Sequence, residues 1–143
     1  MKRWLNCTND NCVTNDQYRN TPLTDAGLYG NVEVMRVLLE GGANVESTNA
    51  HRRTALHRAA YSGHLDVCRL LLDWGAKVDP VDVWEETPLH DAANRGHLSV
   101  TKLLVERGAD VRMKNKDGHA PSDVARIMRR NDVAEWLDSI SRG

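Results

Sequence analysis

One pattern constrains this chain more than any other: it repeats itself every 33 residues. Thr21-Pro22-Leu23-Thr24, Thr54-Ala55-Leu56-His57 and Thr87-Pro88-Leu89-His90 are copies of one tetrad, and Ala120-Pro121-Ser122-Asp123 is a weaker fourth. Other features keep the same step: Gly30, Gly63 and Gly96; Leu38, Leu71 and Leu104; and the pairs Gly42-Ala43, Gly75-Ala76 and Gly108-Ala109. A period of this size marks units that bury their apolar faces on one another and stack into an array.

Each unit reads as two short antiparallel helices and a projecting turn. Thr54 and Thr87 are good N-caps, and Pro22, Pro88 and Pro121 fall at the first helical position, where the missing N–H is not needed. Helices are therefore expected to begin near Thr21, Thr54, Thr87 and Ala120. Ala59-Ala60 and Ala92-Ala93 let the first helix approach its neighbour closely, and Gly63 or Gly96 ends it. A second helix carries Leu65, Val67, Leu70 and Leu71 in one copy and Leu98, Val100, Leu103 and Leu104 in the next, at helical apolar spacing. The polar stretches 44–53, 77–86 and 110–119 then form the projections.

The pattern in Thr87-Pro88-Leu89-His90-Asp91-Ala92-Ala93, followed by Gly96-His97, resembles the signature of the ankyrin repeat family residue for residue, and the likeness runs over about residues 16 to 140. It implies an all-α solenoid of helix-turn-helix units with projecting hairpin fingers. In that register the repeats fall at 16–48, 49–81, 82–114 and 115–143, the last a more polar C-terminal cap. Residues 1–15 read as the tail of a preceding repeat whose first half is missing. Arg129 stands where the first-helix glycine is expected, so the turn should shift toward Asn131, which tolerates left-handed backbone.

Composition narrows the chemistry. Nineteen Lys plus Arg against twenty Asp plus Glu give a net charge of −1, so no global field collects nucleic acid or anionic lipid. No apolar run approaches the roughly 18 residues of a membrane span. Three cysteines, Cys7, Cys12 and Cys68, cannot build a disulfide framework, and the start of the chain lacks a signal-peptide core. An intracellular setting, cytoplasm or nucleus, is expected.

Six histidines invite a catalytic or metal reading, but a catalytic residue should be unique and these recur. His57 matches His90 and His64 matches His97, positions that in the resembled family support turns by hydrogen bonding. Cys68 follows His64 by four residues, yet its equivalents are Met35 and Thr101, which makes it a packing position. Cys7 and Cys12 fall short of a zinc signature, and no phosphate-binding loop is present. No enzyme, metal or cofactor is expected. Arg126, Arg129 and Arg130 are interleaved with Asp123, Asp132 and Glu135 and read as a solvated, self-neutralising face.

Function then rests on residues that do not repeat. In the resembled family partners bind at the finger tips and the exposed face of the first helix, which line a concave groove. Here those positions supply Tyr18, Asn20, Asp25, Leu28 and Tyr29; His51, Arg53, Arg58 and Tyr61; Trp84, Glu86, Asp91, Asn94 and Arg95; and Asp117, His119, Val124, Ile127 and Met128. Four of the seven Trp and Tyr residues fall in this set, and Tyr, Trp and Arg dominate binding hot spots. The expectation is a monomeric adaptor or scaffold for a protein or peptide ligand. Trp84, Tyr61, His51 and Tyr18 would serve as anchors, with Arg53, Arg58, Glu86, Asp91 and Arg95 giving charge complementarity. One alternative is an ankyrin-type inhibitor of a kinase or other enzyme, since the size, the repeat number and His90-Asp91-Ala92-Ala93 resemble the ankyrin-type inhibitors of cyclin-dependent kinases. Another is nucleic-acid binding through the fingers, which the near-neutral charge disfavours.

Overall fold

The structure, a computed structural model, describes residues 19–142. Eight helices fall within them as four pairs: α1 (Pro22–Tyr29) and α2 (Val32–Glu40), α3 (Ala55–Ser62) and α4 (Leu65–Asp73), α5 (Pro88–Arg95) and α6 (Leu98–Glu106), α7 (Pro121–Ile127) and α8 (Asn131–Arg142). The described residues form no strand, only one isolated antiparallel bridge between Thr48 and Thr54. All four expected helix starts are found, and the expectations for residues 1–15 lie outside the described residues.

The threonines act as the sequence implies. Thr21, Thr54 and Thr87 are extended N-caps whose hydroxyls accept the N–H of Thr24, His57 and His90. The third residue answers in each case. Thr24 Oγ1 accepts the Thr21 N–H at 2.8 Å, and the Nδ1 atoms of His57 and His90 accept the Thr54 and Thr87 N–H at 3.1 Å. Because Nδ1 accepts, the proton sits on Nε2, which donates to the carbonyl of Glu86 at 2.9 Å from His57 and of His119 at 3.0 Å from His90. A repeated histidine thus closes its own helix and ties it to the next finger. At the last repeat Ala120 offers no hydroxyl, and only the return bond survives, the Ala120 N–H donating to Asp123 Oδ2 at 3.1 Å.

This arrangement has no room for a second ring proton. Burial holds the His57 pKa down at about 4 from its ordinary 6.5, and burial lowers His90 as well. Above pH 6.5 both folded and unfolded chains carry neutral His57. As pH falls below 6.5 the unfolded chain takes a proton that the fold refuses, and His57's contribution declines by about 3 kcal/mol by pH 4. Ring nitrogen NMR should therefore show His57 as the neutral Nε2-protonated tautomer throughout pH 8 to 5, and titration near 6.5 would contradict this.

First helices pack on first helices and second on second along the stack. The first row is the tighter one, because its contacts are small: Ala26, Ala59, Ala60, Ala92, Ala93 and Ala125 are all buried. A Cβ on Gly27 would lie 2.6 Å from the Ala55 carbonyl oxygen, so α1 and α3 touch nearly backbone to backbone. The second row meets through larger side chains such as Met35, Leu38, Leu71 and Leu104. Interaxial distance follows side-chain size, so the stack is shorter along the first row and curves toward it.

The fingers are built on a second repeated device. Asn49, Asp82 and Asn115 each accept two N–H groups through Oδ1, from His51 and Arg53, from Trp84 and Glu86, and from Asp117 and His119. Successive fingers are tied by Val83 N–H to the His51 carbonyl at 3.1 Å and Lys116 N–H to the Trp84 carbonyl at 3.0 Å. Side chains pair across the same interfaces. Asn49 Nδ2 donates to Asn20 Oδ1 at 3.0 Å, Arg53 faces Asp82 at 4.0 Å, and Asn115 Nδ2 donates to Glu86 Oε2 at 3.1 Å.

The C-terminal repeat corrects two expectations. Arg129 itself takes the left-handed conformation, φ 61°, and Asn131 instead opens α8. The three arginines are not one solvated face. Arg126 bridges Asp123 at 3.3 Å and Asp138 at 3.1 Å, Arg129 makes the turn, and Arg130 Nε donates to the Asn94 carbonyl at 3.1 Å. Arg130 occupies the position of His64 and His97, whose Nε2 atoms donate to the Leu28 and Tyr61 carbonyls. It does the same work with a longer side chain.

Candidate protein interaction surface

The inside of the curve is formed by the first-helix faces and the fingers. Its largest exposed side chains are Tyr29 (73%), Tyr61 (38%), Trp84 (45%), Ile127 (59%) and Met128 (41%). Tyr61 sits at the centre of an arginine cluster: the Arg95 guanidinium lies 5.0 Å from its ring centroid and that of Arg53 lies 5.6 Å away. Such contacts hold a flat cation over the ring face and restrict both partners before any ligand arrives.

The anticipated residues divide into two groups. Tyr61, Trp84, Arg95 and Asp117 are exposed, while His51, Arg58, Asn94 and His119 are half-buried along the same side. Arg53 and Asp91 were expected to meet a partner, and in the structure they face each other. Asp91 is 3% exposed, and its carboxylate holds Arg53 in an ion pair at 2.6 Å, with Asp82 behind it. Burial, reinforced by the nearby Glu86 and Asp82 charges, pushes the Asp91 carboxyl up to about 8 against the pull of Arg53. This is an internal strut between the second and third repeats. Glu86 is half engaged, accepting from Asn115. Asn20 and Val124 are buried as well. Tyr18 lies outside the described residues.

Trp84 was expected as an anchor for a partner, and its indole also packs on the His51 imidazole, centroids 5.1 Å apart and tilted by 38°. The ring braces adjacent fingers while keeping nearly half its surface in solvent. Asp82 was missed altogether. Its signal was present in the period, since Asn49, Asp82 and Asn115 are all short acceptors at the same place in the repeat.

Cys68 is fully buried and burial raises its thiol pKa to about 12, so it carries no thiolate at neutral pH. Its equivalents Met35 and Thr101 are fully buried too, which confirms a packing position. Among the described residues no group of three His, Cys, Asp or Glu side chains is placed to hold a metal ion, and no helix is long and apolar enough to cross a membrane.

Comparison with known families agrees with this architecture. The family described as Ankyrin repeats (3 copies) matches residues 1–82, and Ankyrin repeats (many copies) matches residues 78–125. The chain belongs to the ankyrin repeat family. No curated protein matches it. Ankyrin repeats are generally protein–protein interaction modules, in which repeated residues build the array and the others are free to vary. In this ankyrin array the first helices, the turns that end them and the finger tips expose Tyr29, Tyr61, Trp84, Arg95, Ile127 and Met128, with Arg58 half-buried on α3.

Proposed function

We propose that the protein is a non-enzymatic adaptor or scaffold that binds a partner protein or peptide across its concave groove. The observation that carries this reading is the Tyr61 cluster, an exposed aromatic ring held between two arginines at the centre of the inner side. Tyrosine and arginine give large contact area and directional hydrogen bonds for little rotamer entropy, and central aromatic anchors dominate binding energy. Trp84 adds a second anchor already braced by His51.

The test compares proteins captured from lysate by the wild type, Tyr61→Ala, Trp84→Ala and Trp74→Ala. Trp74 is equally exposed, at 45%, but follows α4 on the outer row. Partners of the groove should bind Tyr61→Ala on the order of 2 kcal/mol more weakly and Trp74→Ala unchanged. Because the indole–imidazole contact is worth about 0.5–1.5 kcal/mol to the fold, Trp84→Ala affinities are read only with the melting temperature beside them. Retention by Tyr61→Ala and Trp84→Ala with loss by Trp74→Ala would move the interface to the outer face and defeat the groove reading.

A further inference from the structure

We propose that the groove takes a short acidic-apolar segment of its partner, a carboxylate seated at Tyr61 between Arg58 and Arg95 and an apolar side chain seated on Ile127 and Met128. This rests on the groove reading above and gives it a ligand chemistry.

The charges of the inner side do not cancel where they are exposed. Arg53 is turned inward onto Asp91 within the array. Arg95 is exposed, stacks on Tyr61, and has no carboxylate within ion-pair distance among the described residues. A guanidinium stacked on a ring keeps its edge donors directed outward, the geometry that grips a carboxylate in two parallel hydrogen bonds. Arg58 is half-buried, and among the described residues its Nε is shielded from water without an acceptor and it closes no ion pair. Asp25, Asp91 and Tyr29 act on it only at longer range, and burial makes its charge costly. An incoming carboxylate would relieve that cost, whereas a basic side chain would add a third cation beside two uncompensated ones. The finger tips do not reverse this balance, since exposed Arg52 and Lys116 are matched in number by exposed Glu85 and Asp117.

The other end of the groove has the opposite character. Ile127 and Met128 stand 59% and 41% exposed at the end of α7; Arg126 before them is already held by Asp123 and Asp138, and Arg129 follows in the turn. They occupy the repeat positions of Tyr61 and Arg95, so the same line along the groove passes from a cationic-aromatic seat to an aliphatic one. Adjacent packed helices lie about 8–10 Å apart, which puts α3 and α7 about 16–20 Å apart. Extended chain rises about 3.3 Å per residue, so the two seats are bridged by about four to six residues.

The probe is a display library of random peptides of about 15 residues, long enough to span the groove, selected on the wild type and on Tyr61→Ala. The expected winners carry Asp or Glu with Leu, Ile, Met or an aromatic residue four to six positions away, and are lost on Tyr61→Ala. A synthetic winner with its acid changed, Glu→Gln, should bind the wild type about tenfold more weakly, the scale of one charge-assisted contact. The same change should matter less than about twofold on Arg58→Gln/Arg95→Gln, and Ile127→Ser/Met128→Ser should remove the apolar preference while keeping the acidic one. Circular dichroism melts confirm that each variant is folded. Groove binders that are basic or uncharged, an equal Glu→Gln loss on wild type and arginine variant, or much tighter binding of a phosphoserine version would each overturn the proposal while leaving the groove reading intact. Winners indifferent to Tyr61→Ala, or none at all, would overturn both.

Discussion

Replacing Arg53 with alanine is expected to lower stability by about 3–5 kcal/mol, the scale seen when one partner is removed from a buried ion pair. Arg53 lies between Asp91 at 2.6 Å and Asp82 at 4.0 Å, and both carboxylates are shut away from water. Without the guanidinium they stand buried with no cation. The loss should depend on pH in a definite sense. The folded Asp91 carboxyl is raised to about 8 even with Arg53 present, far above its ordinary 3.8, and removing the cation raises it further. With its folded pKa near 8 the wild type takes up a proton on Asp91 as pH falls toward 7, and the variant, raised further, takes it up at higher pH, so the variant's penalty is flat below about pH 7 and grows as pH rises through 8. Urea unfolding at pH 7 and pH 9, where His57 is neutral in the folded and the unfolded chain, checks it. An Arg53→Ala penalty under 1 kcal/mol, or one that grows on acidification, would show that the pair is not a strut. The double variant Arg53→Ala/Asp91→Ala should lose less than the two single losses added together.

The second large effect is expected at Gly63. Its φ of 79° already disfavours any side chain, by about 1–2 kcal/mol. A methyl group there would also lie 2.6 Å from the His97 ring of the following repeat, the ring that donates to the Tyr61 carbonyl at 3.1 Å. Overpacking of this kind costs about 1–3 kcal/mol, so Gly63→Ala should total about 2–5 kcal/mol. Gly75 separates the two contributions. It has a similar φ of 91° but nothing within 4 Å of a new methyl, and Gly75→Ala should show the backbone strain alone, about 1–2 kcal/mol. Equal losses at the two glycines would mean that His97 simply swings away and that the interface does not depend on its position.

These two residues also show what the sequence made legible. Gly63 was readable as a helix terminator from the period, because backbone conformation is local and repeats with the residue that permits it. That it doubles as the seat of the next repeat's histidine was not, since spacing along a chain says nothing of what lies across an interface. Arg53 and Asp91 mark the same boundary more sharply. They break the repeat, which is what recognition residues do, and were read so. Yet two non-repeating residues that compensate each other leave the same trace, and only the structure separates a pair facing inward from a pair facing a partner. Tyr61 and Arg95 differ from that pair in that their ring and guanidinium meet in solvent. Trp84 is exposed as its place in the finger implies and also rests on His51. Arg129 turned out left-handed despite its side chain, because the repeat geometry around it demanded that turn and outweighed its own preference.

The pairs between fingers carry one more implication. They join amide to amide at Asn20 and Asn49, cation to anion at Arg53 and Asp82, and anion to amide at Glu86 and Asn115. Each joint therefore has its own lock and key. Exchanging the second and third repeats would set Arg53 against Asn115 and Glu86 against Asn49, leaving Asp82 facing only Asn20 and the guanidinium with no anion. Helices alone would tolerate that exchange, since their buried faces are nearly alike, but the fingers would not. The order of the units along the chain is written in side-chain polarity at the joints, so this array is a sentence with fixed word order and not a row of interchangeable beads.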